Sequence, residues 1–417
     1  MREIKELLAC YVKAIEKGVV GRARTTWCKG LDHLSDPVRK AFLTVERHRL
    51  LEGFYRWAEG TGYTWVPLDP SSPNDEALAQ VYTAAASGLV IKLSPQGTPT
   101  SSSSSPLLMA IMLEHLDLKP GMRVLEIGTG TGYNAALMAE IVGKQELVTT
   151  LELQPDLAER AKRLLRSAGY GGIQVHCADG FYGWPKNAPY DRIVATTCCA
   201  DISPHWLEQV TPGGWMLVPL RHGGETMAPL TQVYPDGRGR VLDPAGFGPA
   251  QGMLSDSGPW AQVPEPKSWL PDHSLPGKKL LRLPDPIPSE FNGFTAHFHY
   301  FVALNEPNAC LFMWSGQDVL LCVLLWDNQT REYAGLACGE DRWVRVIGGE
   351  RLCKCLEGIY REYEEFGQPR VSDYQMEFLL RSAPLEPTGP MSRVRRLGSQ
   401  EWVIERRFTI QRVWLPG

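Results

Sequence analysis

Three glycines in VLEIGTGTGYNAALMAE (residues 124–140), Gly128, Gly130 and Gly132, stand between an apolar strand pattern and a helical one. Glycine there lets a backbone approach a ligand closely, and the helix N-terminus beyond favours negative charge. A dinucleotide fingerprint wants a small residue at the next position, where Tyr133 stands, and no GK[ST] follows to cradle a nucleoside triphosphate. Glu152 closes the next apolar segment, where a carboxylate can accept both hydroxyls of a ribose. Asp179 and Gly180 close the third, where an acid can accept an adenine amino hydrogen. A glycine loop followed by an acid after each of two further strands describes an adenosyl ligand without phosphates, S-adenosylmethionine. Glu126, Thr129, Tyr133 and Leu153, interleaved with these residues, complete the candidate cofactor set. A structural α/β loop with incidental acids is the alternative.

A second group is the serine run of GTPTSSSSSPLLMAIMLEHL (97–116). Serine-rich chain usually signals a flexible tether, because it buries nothing that would offset the entropy of ordering it. Here Pro106 suits a first helical position and Ser105 its N-cap, with Leu107, Leu108, Ile111 and Met112 on the buried face. A run fixed to a capped core helix is not a free tether, so its hydroxyls become candidate donors in a site.

The elements that must position these groups follow a regular order. MRVLEI (122–127), ELVTTLE (146–152), IQVHC (173–177), DRIVAT (191–196) and GWMLVPL (214–220) read as strands, with helices over YNAALMAEIVG and DLAERAKRLLRSAGY. Strand and helix in turn imply an α/β fold, a doubly wound Rossmann-like sheet. Residues 1–70 read as helical: in SDPVRKAFLTVERHRLL, Asp36 is the expected N-cap, with Phe42, Leu43 and Val45 inward and His48 at a solvated helix end. Residues 235–290 are rich in Pro and Gly and read as an irregular connection wrapping a surface, with Trp260, Trp269 and Leu270 seeking burial. Beyond it, FTAHFHYFVAL (294–304) and several later segments have the apolar density of strands, around one helix at 350–367. This predicts four units: a helical N-terminal segment and lead-in (1–100), a cofactor-binding domain (101–233), the wrapping connection (234–290) and a separate C-terminal α+β domain (291–417), expected to recognise a peptide substrate.

The chain has 417 residues, 43% hydrophobic and 22% charged, with a formal net charge of −4. That balance argues against broad capture of nucleic acid. No apolar run reaches the roughly 18 residues of a membrane span, and the N-terminus reads as an amphipathic helix and not a signal peptide, so cytoplasm is the default. The ten cysteines, Cys28 among them, form no CxxC pair and imply neither a metal site nor a disulfide framework. The basic segment RVRRL (393–397) with Arg406, Arg407 and Arg412 could bind an acidic peptide or form a solvated strand face.

VLEIGTGTGYNAALMAEI, DGFYGWPKNAPYDRIVAT and VTPGGWMLVPL resemble the signature blocks of the protein-L-isoaspartate O-methyltransferase family, and VRKAFLTVERHRLL resembles its upstream helix. The resemblance covers roughly residues 36–233. It implies S-adenosylmethionine as cofactor and a [TS]-I-S-x-P segment beside the transferred methyl, which maps onto Ser102, Ser103, Ser104, Ser105 and Pro106. Ser103 stands for Ile and Ser105 for Gln or Ala. The resemblance assigns Ser102, Ser103 and Ser104 to catalysis and Ser105 and Thr196 to the substrate. In ATTCCAD (195–201) it places small residues at the substrate mouth, with Cys198 and Cys199 filling space. The serine run and the C-terminal extension are similar to the members that modify ribosomally made peptides of the lanthipeptide and graspetide kind. The expected reaction is therefore methylation of an aspartate in such a peptide, leading to aspartimide and isoaspartate; repair of isoaspartate in damaged proteins is the alternative. A carboxylate is already ionised at pH 7, so the chemistry needs alignment, worth on the order of 7–11 kcal/mol, and no general base. The peptide's identity and the oligomeric state stay open.

Overall fold

The computed structural model describes residues 2–24, 31, 33–58, 60–83, 87–222, 228–255, 278–285, 287–306, 309–315, 319–327, 329–385 and 393–416. Helix α1 (Arg2–Arg24) and α2 (Asp36–Thr44) open the chain, followed by strands β1 (Gly53–Ala58) and β2 (Gly62–Pro67), α3 (Asp75–Thr83), β3 (Leu89–Leu93), β4 (Pro99–Ser103) and α4 (Pro106–Leu116). The four strands form a sheet ordered β2-β1-β3-β4. The expectation of an all-helical start is thus corrected: FYRWAEGTGYTWV is a hairpin turned at Gly60 and Gly62, both at positive φ. Ser35, and not Asp36, is the N-cap residue of α2, with Pro37 in its first turn. Phe42 and Val45 are buried as expected, whereas Leu43 is exposed. His48 is buried, its Nδ1 at 2.9 Å from the Tyr82 hydroxyl, and so is no solvated end.

The central sheet is built from β5 (Val124–Ile127), β6 (Val148–Glu152), β7 (Gln174–Cys177), β8 (Tyr190–Ala195) and β9 (Val210–Pro219), joined by α5 (Tyr133–Val142), α6 (Pro155–Ser167) and α7 (Pro204–Gln209). These strands run parallel in the order β7-β6-β5-β8-β9. The doubly wound α/β reading holds. Register sets Ile127 beside Leu151 on one flank and Ala195 on the other, so the loops after β5, β6 and β8 leave from one edge. The chain fills one side of β5 before crossing to the other, which opens a crevice at that edge.

Strands β10 (Leu230–Val233) and β11 (Arg238–Asp243) extend the sheet antiparallel to β9. A second sheet, ordered β12-β16-β15-β14-β13, contains β12 (Lys278–Arg282), β13 (Ala309–Ser315), β14 (Val319–Asp327), β15 (Glu332–Gly339) and β16 (Trp343–Gly348). Against it lie α8 (Ile287–Asn305) and α9 (Glu350–Glu365). The extra C-terminal region is β-rich, but residues 294–304 are helix. Phe291, Phe294, Phe298 and Phe301 repeat at helical spacing, and Phe298 meets Tyr363 of α9 at 5.1 Å.

The last strands, β17 (Gln375–Leu380), β18 (Arg393–Gly398), β19 (Glu401–Glu405) and β20 (Thr409–Trp414), do not stand apart. They continue the central sheet as β11-β17-β20-β19-β18, giving 11 strands in all. One apolar core accordingly joins Leu125, Ile193 and Met216 to Phe298, Leu336 and Trp402. The extra C-terminal region shares this core, and a smaller cluster of its own joins Cys310, Leu321, Val323, Trp326, Ala337 and Ile347. Trp260, Trp269 and Leu270 lie outside the described residues, as does Cys28. Among the described residues no helix is long and apolar enough to cross a membrane.

Candidate active site

Gly128, Gly130 and Gly132 follow β5 with φ of +102°, +54° and +80°. A Cβ on Gly128 would lie 2.6 Å from the Thr196 Oγ1, and one on Gly132 would lie 2.8 Å from Leu165. The loop therefore needs glycine for conformation and for space. A Cβ on Gly130 would lie 3.1 Å from the Ser102 carbonyl oxygen, so β4 crosses directly over the loop. The serine strand and the glycine loop form two walls of one crevice.

Glu152, at the end of β6, takes the Gly130 N–H on Oε2 at 2.9 Å and the Gln154 N–H on Oε1 at 3.1 Å. Burial raises its pKa, and these backbone donors oppose the rise. Each oxygen keeps accepting capacity. Leu153 beside it is 36% exposed, an apolar surface at the same edge. Asp179 caps the short turn at Gly180, its Oδ1 accepting from the Phe181 N–H at 2.9 Å. Its Oδ2 accepts from the Met253 N–H at 3.0 Å. Met253 belongs to a strap, residues 247–255, that the sequence reading took as irregular wrapping. Gly252, at φ +68°, passes so close that a Cβ would sit 2.4 Å from Asp179 Oδ2. Gln251 Nε2 and Gln154 Nε2 both donate to the Thr100 carbonyl, at 3.3 and 3.4 Å, which ties strap, β6 loop and serine strand together.

Other expected cofactor residues are placed differently. Glu126 is fully buried within β5, accepting from Asn134 Nδ2 at 2.8 Å and Thr150 Oγ1 at 2.7 Å. Burial pushes its carboxyl up to about 7, against those two hydrogen bonds. Through Asn134 it braces the first turn of α5. Thr129 is buried too, its hydroxyl 2.7 Å from that of Thr150. The Tyr133 side chain points into the N-terminal helices, edge-on to Phe42 at 6.2 Å. Thr196 Oγ1 lies 2.7 Å from the Gly128 carbonyl and 3.1 Å from that of Ile127, so it props the glycine loop.

The serines divide by environment. Ser102 is exposed and Ser104 half-buried, and among the described residues neither hydroxyl has a partner. Ser103 points inward, its Oγ accepting from Arg47 Nε at 3.2 Å. Ser105 Oγ caps α4 by accepting the Leu108 N–H at 3.5 Å. Ser103 and Ser105 thus hold the segment, and the serine atoms nearest a Cβ built on Gly130 are the Ser102 carbonyl oxygen at 3.1 Å and the Ser101 hydroxyl at 4.0 Å. Arg47, which sequence reasoning missed, is fully buried and also donates to the carbonyls of Ser103, Ser104 and Val81 at 3.0, 3.1 and 3.3 Å. The charged ERHR cluster beside an apolar helix end was its only local signal.

Among the C-terminal arginines, Arg412 pairs with Glu401 and Glu377, Arg395 with Glu405 and Arg396 with Glu362. Arg406 is buried and bonded to backbone carbonyls. These side chains are engaged within the fold, which favours the strand-face reading over an acidic-peptide site. Cys198 and Cys199 are buried, and burial raises the Cys199 thiol well above its ordinary pKa. Burial of this kind favours the space-filling reading of the pair.

An adenosyl group fits this crevice: Glu152 keeps free lone pairs, Leu153 offers an apolar face, and the glycines clear its floor. The family Protein-L-isoaspartate(D-aspartate) O-methyltransferase (PCMT) matches residues 32–241. Protein-L-isoaspartate O-methyltransferase 2 of Archaeoglobus fulgidus is 45% identical over 138 residues, 33% of this chain and 62% of that protein. Protein-L-isoaspartate O-methyltransferase of Methanococcoides burtonii is 39% identical over 142 residues, 34% of this chain and 68% of that protein. A solved protein-L-isoaspartate O-methyltransferase covers 90% of this chain and 96% of its own, with 25% identity and a TM-score of 0.47. The chain spans 62% and 60% of the length of the two Archaeoglobus fulgidus relatives it matches. The chain belongs to the protein-L-isoaspartate(D-aspartate) O-methyltransferase family of S-adenosylmethionine-dependent methyltransferases.

Proposed function

We propose that the chain is a carboxyl O-methyltransferase that methylates isoaspartyl residues in proteins or peptides. The observation that supports this reading is the close approach of β4 to the glycine loop at Gly130, which brings the serine segment next to the cofactor crevice. When bound, S-adenosylmethionine supplies an electrophilic methyl group. Glu152 accepts the ribose hydroxyls, and Gly128 and Gly130 let the backbone come close. Ser104, with Ser102, donates to one oxygen of the acceptor carboxylate and leaves the other oxygen to attack. No side chain need remove a proton, because the acceptor is ionised at neutral pH. Arg47 fixes the serine backbone, so alignment is built in before substrate arrives.

The relatives' names favour an isoaspartyl acceptor over an aspartate in a ribosomally made, modified peptide. That narrower reading rests on the serine run and the C-terminal extension alone. The deciding experiment offers labelled S-adenosylmethionine with matched synthetic peptides carrying isoaspartate or aspartate at one position. Base-labile methyl ester on the isoaspartyl peptide only is expected. Labelling of a modified, constrained aspartyl peptide with none on isoaspartate would return the narrower reading. Cofactor binding without transfer to any peptide would sink both.

A further inference from the structure

The loop after β8, residues 196–201, is held from two sides. On one side Cys198 N–H donates to the Gly248 carbonyl at 2.8 Å, Ala250 N–H to the Cys198 carbonyl at 2.9 Å and Ala200 N–H to the Leu254 carbonyl at 3.0 Å. This is the strap that reaches Asp179 and Thr100. On the other side stands the turn between β19 and β20. Asp201, 3% exposed, accepts on Oδ2 from the N–H groups of Phe408 and Thr409 at 2.6 and 3.0 Å, and on Oδ1 from the Thr409 hydroxyl at 2.5 Å. Arg406, 2% exposed, donates through Nη1 to the Ala200 carbonyl at 2.7 Å and through Nη2 to the Arg221 carbonyl at 2.9 Å. Its Nε donates to Gln411 Oε1 at 2.8 Å. Phe408 also packs on Phe181 at 4.6 Å, two residues past Asp179.

Two buried ionic groups are a costly way to close a turn when apolar side chains of similar size would stabilise it as well. What they add is one fixed geometry, because each hydrogen bond constrains direction as well as distance. The residues they fix lie at the crevice edge, beside Thr196 and the glycine loop. The turn at 405–409 lies outside the residues matched by the family, 32–241. The extension therefore reaches the site through named polar contacts and not only by filling a core.

We propose that Asp201 and Arg406 are positioning residues for the acceptor: the β19–β20 turn holds the 196–201 loop in the shape an acceptor peptide needs. The proposal rests on the carboxyl methyl-transfer reading above. A clasp broken at one bond should loosen the loop and weaken peptide binding while Glu152 and the glycine loop keep the cofactor.

The test compares the full chain with Thr409→Val, which removes one hydroxyl and leaves both backbone donors, and with Asp201→Asn and Arg406→Lys. Hydrogen exchange without ligand should show the Cys198 and Ala200 amides exchanging about tenfold faster in Thr409→Val. In the same variant KM for an isoaspartyl peptide should rise about fivefold or more, with kcat and S-adenosylmethionine affinity by calorimetry within about twofold. A lower melting temperature with unchanged exchange at those amides and unchanged KM would overturn the proposal and leave a merely structural role. If Asp201→Asn or Arg406→Lys fails to fold, Thr409→Val still decides. If the wild-type chain methylates no isoaspartyl peptide, the functional reading fails, and the exchange measurement alone decides the clasp.

Discussion

Residues 128–132 and residues 101–105 meet across one crevice and differ in what holds them. The glycine loop is fixed by its own backbone: three positive φ angles, and neighbours too close for a side chain. The serine strand is held from elsewhere in the chain, with Arg47 bonded to Ser103 and Ser104 across 56 and 57 residues of sequence and Gln154 and Gln251 donating to the Thr100 carbonyl. One wall carries its instructions locally. The other borrows its shape from elsewhere. The conformation of the glycine loop is thus set mainly by adjacent residues, while that of the serine strand depends on contacts made from elsewhere in the chain.

Arg47→Ala should give the largest effect. It strands the carbonyls of Val81, Ser103 and Ser104 in a buried setting, at about 1–3 kcal/mol for each unsatisfied group before relaxation. A net loss of about 3–5 kcal/mol in denaturant unfolding is expected. A loss under about 1 kcal/mol would break the comparison, because the serine strand would then hold its own shape.

Glu126→Gln sharpens the other side, since Glu126 braces the loop from beneath. Its folded pKa of about 7 lies above the ordinary 4.5, so the folded state binds the extra proton between those values. Its stabilising contribution is complete below pH 4.5 and is lost as pH rises through 7. Glutamine stays neutral, and the Thr150 and Thr129 hydroxyls can reverse their donation to suit it. The variant should therefore flatten the fall in stability between pH 4.5 and 7, read as melting temperature against pH. An unchanged slope would show that Glu126 ionises freely.

The smallest expected change in stability comes from the serines, and it should split. Ser105→Ala removes a helix cap and should cost about 1 kcal/mol. Ser104→Ala should leave stability within about 0.5 kcal/mol and lower the methyl-transfer rate more than cofactor affinity. Equal behaviour of the two variants would erase the division of roles within the run.

That division shows why the two walls were not equally legible. Gly128, Gly130, Glu152 and Asp179 could be read because loop conformation and strand ends are written in adjacent residues. Five identical serines carry no internal label, so Ser103 could not be told from Ser104 without Arg47. The Asp201 clasp spans 208 residues and left no local mark at all. The buried setting of Glu126 was not legible for a different reason. It lies inside a strand with parallel partners on both sides, where a polar side chain is buried whichever face it takes. The helix at 287–305 was written in its four phenylalanines, but their apolar density drew the strand reading.

The strand order at the far flank has a consequence for synthesis on the ribosome. β11 emerges early with one edge paired to β10, and its other partner, β17, comes more than 130 residues later, after Asp243 and before Gln375. β17 in turn is completed by β20, which ends at Trp414. Until then the nascent chain carries an open hydrogen-bonding edge beside a finished nucleotide-type fold. The 196–201 loop also lacks its clasp until Arg406 and Thr409 have left the exit tunnel. The contacts at Asp201 thus form late, and a chain stalled short of residue 405 exposes that edge and is a candidate for chaperone capture.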